Sequence, residues 1–195
     1  RLWLKLPNDA PQLIPFDDML RPDAARTIKS LKQDGYQLAL LSGDHKQAVK
    51  RIADEVGIAD WHAAIRPKDK LSWLESAQTD GHHMMMVGDG LNDGPALAGA
   101  HVSLSPSTAT DLAQNAADVV FQGKSMRAIT HLLSVAKKAA TLARQNMTFA
   151  ICYNLVAVPL AMAGEVTPLI AALAMSSSSI IVTLNSFRIT RGIKS

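Results

Sequence analysis

The sequence contains little cysteine and little net charge, and each shortage excludes a class of protein. Cys152 is the single cysteine among 195 residues, which excludes a disulfide framework and an all-cysteine metal cluster within the chain. The formal net charge is only +3, and Lys and Arg form no block interleaved with aromatic residues, so no nucleic-acid partner is indicated. The sequence does have 48% hydrophobic residues, enough for a packed core.

Charged residues are almost absent from the C-terminal part of the chain. In the stretch 146–187 the only one is Glu165. The apolar runs 147–164 and 168–187 are each long enough to cross a bilayer as a helix, and the short link between them suits a hairpin. Lys and Arg flank both outer ends, so the positive-inside rule predicts cytoplasmic ends and an external Glu165. The alternative is a pair of core helices in a soluble protein, which would leave a large apolar face unburied.

The remainder of the chain alternates between helix-like and strand-like segments. Periodicity and the Pro and Gly positions predict a short helix near Pro95, helices at 22–33, 45–56 and 67–77, and strands at 37–41, 84–87, 101–104 and 118–121. This alternation predicts an α/β fold with a Rossmann-like parallel sheet, in which ligands bind at the carboxyl ends of the strands. The polar loops 42–44 and 88–93 both follow a predicted strand.

These patterns divide the chain into four parts. Residues 1–124 form the α/β domain, and an amphipathic helix at 125–145 forms a stalk that leads to the membrane. The hairpin occupies 146–189, with helices at about 147–164 and 168–187, and 190–195 is a cytoplasmic tail. The sequence starts at Arg1 without Met, so we expect a piece of a longer protein.

The loop Gly88–Gly94 carries the residues best suited to phosphate chemistry. It reads Gly-Asp-Gly-Leu-Asn-Asp-Gly and places Asp89, Asn92 and Asp93 on a tight turn after a strand. Glycines let a backbone approach a phosphate closely, and carboxylates are the hard oxygen ligands that Mg²⁺ requires. A lone Gly-Asp-Gly is usually just a turn, but the string that continues through Leu97 is far more specific.

The ten residues Gly88–Leu97 resemble the hinge motif of P-type ATPases, which lie within the haloacid-dehalogenase superfamily. Three more segments match that family in the same order along the chain. Leu41–Asp44 resembles its Thr-Gly-Asp loop, with Ser in place of Thr. Pro67–Lys70 resembles the segment that ends in a phosphoryl-neutralising lysine, and Asp18–Pro22 resembles the family's Asp-x-x-Arg hinge.

The resemblance implies a role for each matched residue. Asp89 would bind Mg²⁺ together with Asp93, and Asn92 and Asp93 would complete the hydrogen bonding of the loop. The groups expected to hold the phosphoryl oxygens are Ser42, Gly43, Asp44 and Lys70. Phosphoryl transfer requires mainly positioning and charge neutralisation, and these residues supply both.

The family's nucleophile is missing from this sequence. It is the aspartate of Asp-Lys-Thr-Gly-Thr, which forms an aspartyl phosphate, whereas Asp69-Lys70 is followed here by Leu. The resemblance therefore implies a C-terminal fragment, inactive alone, whose partners are the nucleotide-binding domain, the actuator domain and the earlier membrane helices of the same pump. Two alternatives remain open: a haloacid-dehalogenase-type phosphatase with an apolar tail, and a non-catalytic membrane fragment.

Polar and thioether side chains within the two apolar runs are candidate ligands for a transported metal. Tyr153 and Asn154 lie in the first run, and Met175 and Ser179 lie four residues apart on one face of the second. A thioether is a soft ligand suited to Cu⁺. Helix packing through small and amide side chains is the alternative explanation.

The pattern Asn-x6-Tyr-Asn-x4-Pro, then Pro-x6-Met-x2-Ser-Ser-x5-Asn, resembles the last two helices of Cu⁺-exporting heavy-metal P-type ATPases. It runs from Asn146 to Pro159 and from Pro168 to Asn185. The resemblance implies a Cys-Pro-Cys pair in an earlier helix, ATP and Mg²⁺ as cofactors, Cu⁺ as cargo, a copper chaperone as partner, and the bacterial inner membrane as location. The lysine and aspartate typical of the zinc, cadmium and lead subgroup are absent. Cys152 and the histidines are expected to have packing or surface roles.

Overall fold

The computed structural model describes residues 2–5, 10–14, 20–123 and 125–189. The chain divides into two compact units, Arg1–Ala128 and Ile129–Ser195. Asp18, part of the predicted Asp-x-x-Arg hinge, lies outside the described residues, as does the predicted tail.

The first unit is built from short strands that alternate with helices. Its elements are β1 (Leu2–Leu4), β2 (Gln12–Ile14), α1 (Ala24–Gln33), β3 (Ala39–Leu41), α2 (Lys46–Val56), β4 (Asp60–His62), α3 (Pro67–Thr79), β5 (Met85–Val87), a 3₁₀ turn (Leu91–Asp93), α4 (Gly94–Gly99), β6 (Val102–Pro106), α5 (Asp111–Ala116) and β7 (Val119–Phe121). Pro67 opens α3, and Gly57, with φ at +77°, ends α2 in the left-handed region. The predicted alternation of helices and strands is confirmed.

All strands from β3 onward run parallel, but they form two sheets. β3 pairs with β4, whereas β6 lies between β5 and β7. The centre of β6 is the best-buried part of the sheet, since Ser103 and Leu104 are 1% and 0% exposed. Within the described residues neither β3 nor β5 has a second strand partner. The predicted parallel arrangement is therefore confirmed, and the sheet is interrupted between β3 and β5.

Helix α3 packs closely against α4. Gly99, at the end of α4, leaves room for Leu71, because a Cβ at that position would collide with Leu71 Cδ1. Gln78 Nε2 donates to the Gly99 carbonyl at 2.9 Å. Leu74 and Leu97, which are 2% and 1% exposed, belong to the core of this unit. These contacts fix α3 against α4.

Three parts of the first unit were not predicted by the sequence patterns. β4 has three residues, two of them polar, so it shows no alternation of its own and forms because Trp61 pairs with Leu40 of β3. α5 has only six residues and is capped by Thr110, whose Oγ1 accepts from the Ala113 N–H at 3.4 Å. The third part is β2 with its antiparallel pairing to β1.

The second unit is a helical hairpin. α6 (Arg127–Met162) is one continuous helix of 36 residues, and α7 (Pro168–Ser186) is followed by a 3₁₀ turn (Phe187–Ile189). The predicted stalk and first apolar run are parts of this one helix, because no Gly or Pro separates them. Pro168–Ile189, 22 residues long and 6% buried, is the one described helix that is long and apolar enough to cross a bilayer.

Candidate phosphoryl-transfer site

The loop after β5 folds back on itself through Asp93. The Gly90 N–H donates to Asp93 Oδ2 at 3.2 Å, and the Asp93 N–H donates to the Gly90 carbonyl at 3.1 Å. Gly88 leaves space for this carboxylate, because an added Cβ would lie 2.8 Å from Asp93 Cβ. The Gly88 N–H donates to the Leu104 carbonyl at 3.1 Å and ties the loop to β6. The glycines of the motif therefore shape a turn around the Asp93 carboxylate.

Lys70 and Asp93 form a buried ion pair at this loop. Lys70 Nζ lies 2.7 Å from Asp93 Oδ1, and the two side chains are 10% and 13% exposed. Lys70 comes from the start of α3. Each oxygen of Asp93 accepts a hydrogen bond, one from Lys70 and one from Gly90. Such a carboxylate is better placed to hold the lysine than to give both oxygens to a metal ion.

Asp89 lies on the same loop and faces solvent. Its side chain is 66% exposed, and Arg21 Nη2 lies 3.8 Å from Asp89 Oδ2. The Asp89 carbonyl accepts from the Thr110 N–H at 3.3 Å, which holds the backbone in place. Asn92 is also exposed, within the 3₁₀ turn. Asp89 thus offers the accessible carboxylate oxygens that Mg²⁺ favours.

The loop after β3 presents Ser42, Gly43 and Asp44. Ser42 Oγ donates to Asp44 Oδ2 at 2.9 Å and accepts from the Asp44 N–H at 3.2 Å. The N–H groups of Ile65 and Ala64 donate to the carbonyls of Ser42 and Asp44 at 3.0 Å and 2.9 Å. Because a hydroxyl has one proton, Ser42 must exchange its bond to Asp44 in order to donate to a phosphoryl oxygen.

The structure brings only part of the predicted site together. Lys70, Asp89 and Asp93 lie at the carboxyl end of β5, while Ser42 follows the carboxyl end of β3. Among the described residues, no hydrogen bond or ion pair joins Ser42 to Lys70. The same residues contain no group of three or more His, Cys, Asp or Glu side chains that could hold a metal ion. The two halves of the site thus follow strands of two different sheets.

Asp23 is a charged residue that the sequence patterns did not single out. Its carboxylate accepts from the Ser125 hydroxyl, and from the Arg127 N–H at 3.2 Å. These bonds, chiefly that from Ser125, hold the pKa of Asp23 below its ordinary value, against the opposing effect of burial. The partners are 102 positions apart, so no local pattern could have revealed the contact.

The candidate metal ligands of the hairpin differ in exposure. Tyr153 is half-buried, whereas Asn154 and Ser179 are exposed and Met175 is 68% exposed. Tyr153 and Asn154 lie in α6, and Met175 and Ser179 lie in α7. Within the described residues of this unit, no hydrogen bond joins one of these four side chains to another.

An amide pair sets the register of the two hairpin helices. Asn185, 8% exposed, donates through Nδ2 to Asn146 Oδ1 at 2.8 Å. Asn146 and Asn185 lie opposite each other. At a rise of about 1.5 Å per residue, Tyr153 and Ser179 each lie roughly 10 Å from this pair, toward the turn of the hairpin. By the same measure, Met175 lies about 15 Å from the Asn146–Asn185 pair. The candidate ligands on α6 and α7 therefore fall at similar depths.

Comparison with known proteins identifies the family. Residues 5–101 match the model of haloacid dehalogenase-like hydrolases. The nitrogen fixation protein FixI of Bradyrhizobium diazoefficiens is 48% identical over 87% of this chain, which covers 23% of FixI. Cation-transporting P-type ATPase B of Mycobacterium tuberculosis is 38% identical over 88% of this chain and 23% of its own length. The chain belongs to the P-type ATPase family.

A solved structure extends this match across both units. The crystal structure of a zinc-transporting PIB-type ATPase in its E2.Pi state superposes with a TM-score of 0.84 at 30% identity. The superposition covers 89% of this chain and 28% of that ATPase. The chain therefore corresponds to the C-terminal part of a heavy-metal P-type ATPase: a haloacid-dehalogenase-type parallel sheet with helices, followed by a long apolar helix.

Proposed function

We propose that this chain is the C-terminal part of an ATP-driven pump that exports Cu⁺ from the cytoplasm through an aspartyl-phosphate cycle. The observation that carries the phosphoryl-transfer half of this proposal is the loop after β5. There Asp93, which forms a buried ion pair with Lys70 of α3, lies on the same loop as the accessible carboxylate of Asp89. One fixed cation and one exposed anion suit the charges of a phosphoryl group and of Mg²⁺.

The nucleophile of this cycle would come from a strand outside this chain. Within the described residues β3 and β5 each have a single strand partner, and Val87 at the end of β5 is 38% exposed. A parallel strand between β3 and β5 would complete one sheet. Its carboxyl end would then lie between Ser42 and the Lys70 pair. An Asp-Lys-Thr-Gly-Thr segment at that end is the arrangement that the family resemblance implies.

Each residue of the site has a separate role in the proposal. Asp89 would hold Mg²⁺ through its accessible oxygens, and the ion would neutralise charge on the transferred phosphoryl group. Lys70 adds a positive charge that Asp93 holds in position. The Ser42 hydroxyl donates to a phosphoryl oxygen once it leaves Asp44. The Gly43 N–H is a further donor on that loop.

Cu⁺ is the cargo that the hairpin chemistry favours. Met175 supplies a soft thioether, and Tyr153, Asn154 and Ser179 lie at similar depth with no charged side chain among them. The remaining ligands would come from a Cys-Pro-Cys helix outside this chain. Delivery by a copper chaperone and a place in the bacterial inner membrane belong to the same proposal.

The proposed hairpin crosses the membrane twice, with Glu165 outside the cell. Its single carboxylate marks the turn between α6 and α7, far from the Lys and Arg residues of the outer ends. A Glu165→Cys variant of the full-length protein should react with a membrane-impermeant thiol reagent only from the outside. Reaction only from the cytoplasmic side would contradict this topology.

Phosphorylation of the full-length protein by ATP tests the catalytic half of the proposal. We expect a hydroxylamine-sensitive phosphoenzyme that falls more than about 100-fold in Asp89→Asn, the range expected when a major charge-stabilising group is lost. Folding stability should change by no more than about 0.5 kcal/mol, because Asp89 is exposed. Asp80→Asn, an exposed carboxylate at the end of α3, is the matched control and should leave the phosphoenzyme unchanged. Equal phosphorylation of both variants would overturn the assignment.

A further inference from the structure

A basic cavity lies where the two outer ends of the helical hairpin meet. It has a volume of about 280 Å³ and is lined by Lys138, Thr141, Leu142 and Gln145 of α6 and by Arg188 of the last 3₁₀ turn. Leu142 is 7% exposed and forms an apolar part of the lining. The other lining groups are two cations, a hydroxyl and an amide. This is the composition of an anion site rather than of a cation site.

Both cations of the cavity are held by the hairpin itself. Lys138 Nζ donates to the Ile189 carbonyl at 3.1 Å. Arg188 Nη1 donates to Asn185 Oδ1 at 2.9 Å and to Gln145 Oε1 at 3.4 Å. A guanidinium carries five N–H donors, and these two bonds use one of its three nitrogens. The positive charges are thus fixed relative to each other before any ligand binds.

The charge distribution leaves this end of the hairpin without a carboxylate side chain. From residue 129 to residue 195 the sequence contains six Lys and Arg residues and a single acid, Glu165. Glu165 lies at the opposite end of the hairpin, roughly 30 Å away at about 1.5 Å per helical residue. The side chains that line the cavity therefore carry a net positive charge, which would attract an anion.

An apolar groove adjoins the basic cavity and shares Arg188 with it. The groove has a volume of about 710 Å³, and its apolar lining consists of Phe149, Ile181, Leu184 and Phe187. Leu184 and Phe187 are 62% and 65% exposed. A basic cavity beside an apolar groove matches a molecule with an anionic head and an acyl chain. Inorganic phosphate would use only the first of these two parts.

We infer that this paired cavity and groove bind an anionic phospholipid, with its phosphate between Lys138 and Arg188 and an acyl chain along Leu184 and Phe187. The inference rests on the membrane placement proposed above. Pro168–Ile189 has 22 residues, or about 33 Å of helix, close to the thickness of a bilayer core. The cavity at its end then lies at headgroup level, where basic pockets between membrane helices bind anionic headgroups.

The test uses the full-length protein in phosphatidylcholine nanodiscs, titrated with fluorescent phosphatidylglycerol. Lys138→Gln should weaken phosphatidylglycerol binding about five-fold, the effect of one interfacial charge. Lys137→Gln is the matched control, because it removes the same charge from the neighbouring, exposed position outside the cavity. Arg188→Lys keeps the charge and should bind more tightly than Arg188→Gln. Leu184→Ser should weaken binding through the acyl chain.

Three outcomes would overturn the inference. Equal effects of Lys137→Gln and Lys138→Gln would show a diffuse surface charge and no specific cavity. Displacement of the lipid by millimolar inorganic phosphate, together with an unchanged affinity in Leu184→Ser, would assign the cavity to free phosphate. Absence of saturable binding to the wild-type protein would exclude the site altogether. No transported metal is present in these titrations, so failure of the Cu⁺ assignment would leave their result unaffected.

Discussion

Lys70 and Asp93 are 23 positions apart in the sequence, and their charged atoms lie 2.7 Å apart in a site where each side chain is almost fully buried. A buried ion pair adds little net stability, because the loss of hydration offsets the attraction between the charges. At this loop the ion pair instead holds the Lys70 ammonium group in a fixed position. A lysine that is already fixed can neutralise a phosphoryl group without reorganising during the reaction.

Lys70→Ala should both destabilise the first unit and abolish phosphoenzyme formation in the full-length protein. The substitution leaves Asp93 as a buried charge without its counter-charge, which costs about 3–5 kcal/mol. Urea denaturation followed by the fluorescence of Trp73, on the same helix, would measure the loss.

The control for that experiment is Lys68→Ala, since Lys68 is exposed and lies two residues earlier on α3. It should change stability by less than about 0.5 kcal/mol. A Lys70 variant as stable as the Lys68 variant would show that the ion pair is not buried in solution.

The sequence motifs predicted which residues of the site matter, but not how they contact one another. Lys70 was expected to hold a phosphoryl group, and Asp93 to bind Mg²⁺ or complete the loop. Their mutual pairing depends on the packing of α3 against α4 through Gly99 and Leu71. Residues brought together by helix packing leave no signal at any fixed spacing, so this contact required the structure.

Among the elements, α6 and α7 are linked by polar contacts at their outer ends. Asn185 contacts Asn146 and Arg188, and Asn146 Nδ2 donates to Ser186 Oγ at 3.0 Å. Amides that bond across helices fix the rotation and depth of one helix relative to the other. The candidate metal ligands depend on that register, because they are distributed over both helices.

Asn185→Ala should loosen the hairpin register. It removes the hydrogen bond from Asn185 to Oδ1 of the half-buried Asn146, a loss of about 1 kcal/mol. Spin labels at Cys152 and at Ile180→Cys, in a full-length protein without other cysteines, should then show a distance distribution broadened or shifted by at least about 1.5 Å, one helical step. Thr148→Ala serves as control, since Thr148 Oγ1 bonds only its own helix, at the Arg144 carbonyl. Identical distributions for the Asn185 and Thr148 variants would refute the role of the amide.

The contact of Asp23 with Ser125 and Arg127 should make the first unit sensitive to acid. The pKa of Asp23 is lowered in the folded state, so its contribution is present above the unfolded pKa of about 4 and is lost as pH falls through the folded pKa. Ser125→Ala should raise the Asp23 pKa and reduce this pH dependence. Carboxyl-carbon NMR titration measures the pKa directly, and an unchanged pKa would show that the Ser125 hydroxyl does not bond Asp23 in solution.

The sequence patterns predicted helices α1 to α4 and strands β3, β5, β6 and β7, but not β4 or α5. Helices α1 to α3 each have Pro or Gly near an end that marks a boundary, whereas β4 forms through its pairing with β3. The stalk and the first apolar run differ in composition, which suggested two helices. No Gly or Pro lies at the junction between the two segments, so they form the single helix α6.

At the scale of the whole molecule, this chain spans between 23% and 28% of the relatives described above. The interrupted sheet of the first unit and the sparse burial of the hairpin follow from that partial coverage in the proposed pump. A further strand would lie between β3 and β5, and the earlier membrane helices would cover part of the exposed surface of α6 and α7. The order of motifs along the sequence predicted the family, but the sheet interruption became visible only in three dimensions.

In the proposed pump, phosphoryl transfer is coupled to Cu⁺, and metal-stimulated ATP hydrolysis of the full-length protein measures this coupling. We expect Cu⁺ to stimulate hydrolysis and Zn²⁺ to leave it at the basal rate. Met175→Ala should raise the half-maximal Cu⁺ concentration about ten-fold, equivalent to about 1.4 kcal/mol. Met162→Ala, a methionine 84% exposed outside the predicted metal site, should not raise it. Stimulation by Zn²⁺ alone, or equal behaviour of the two methionine variants, would contradict the account.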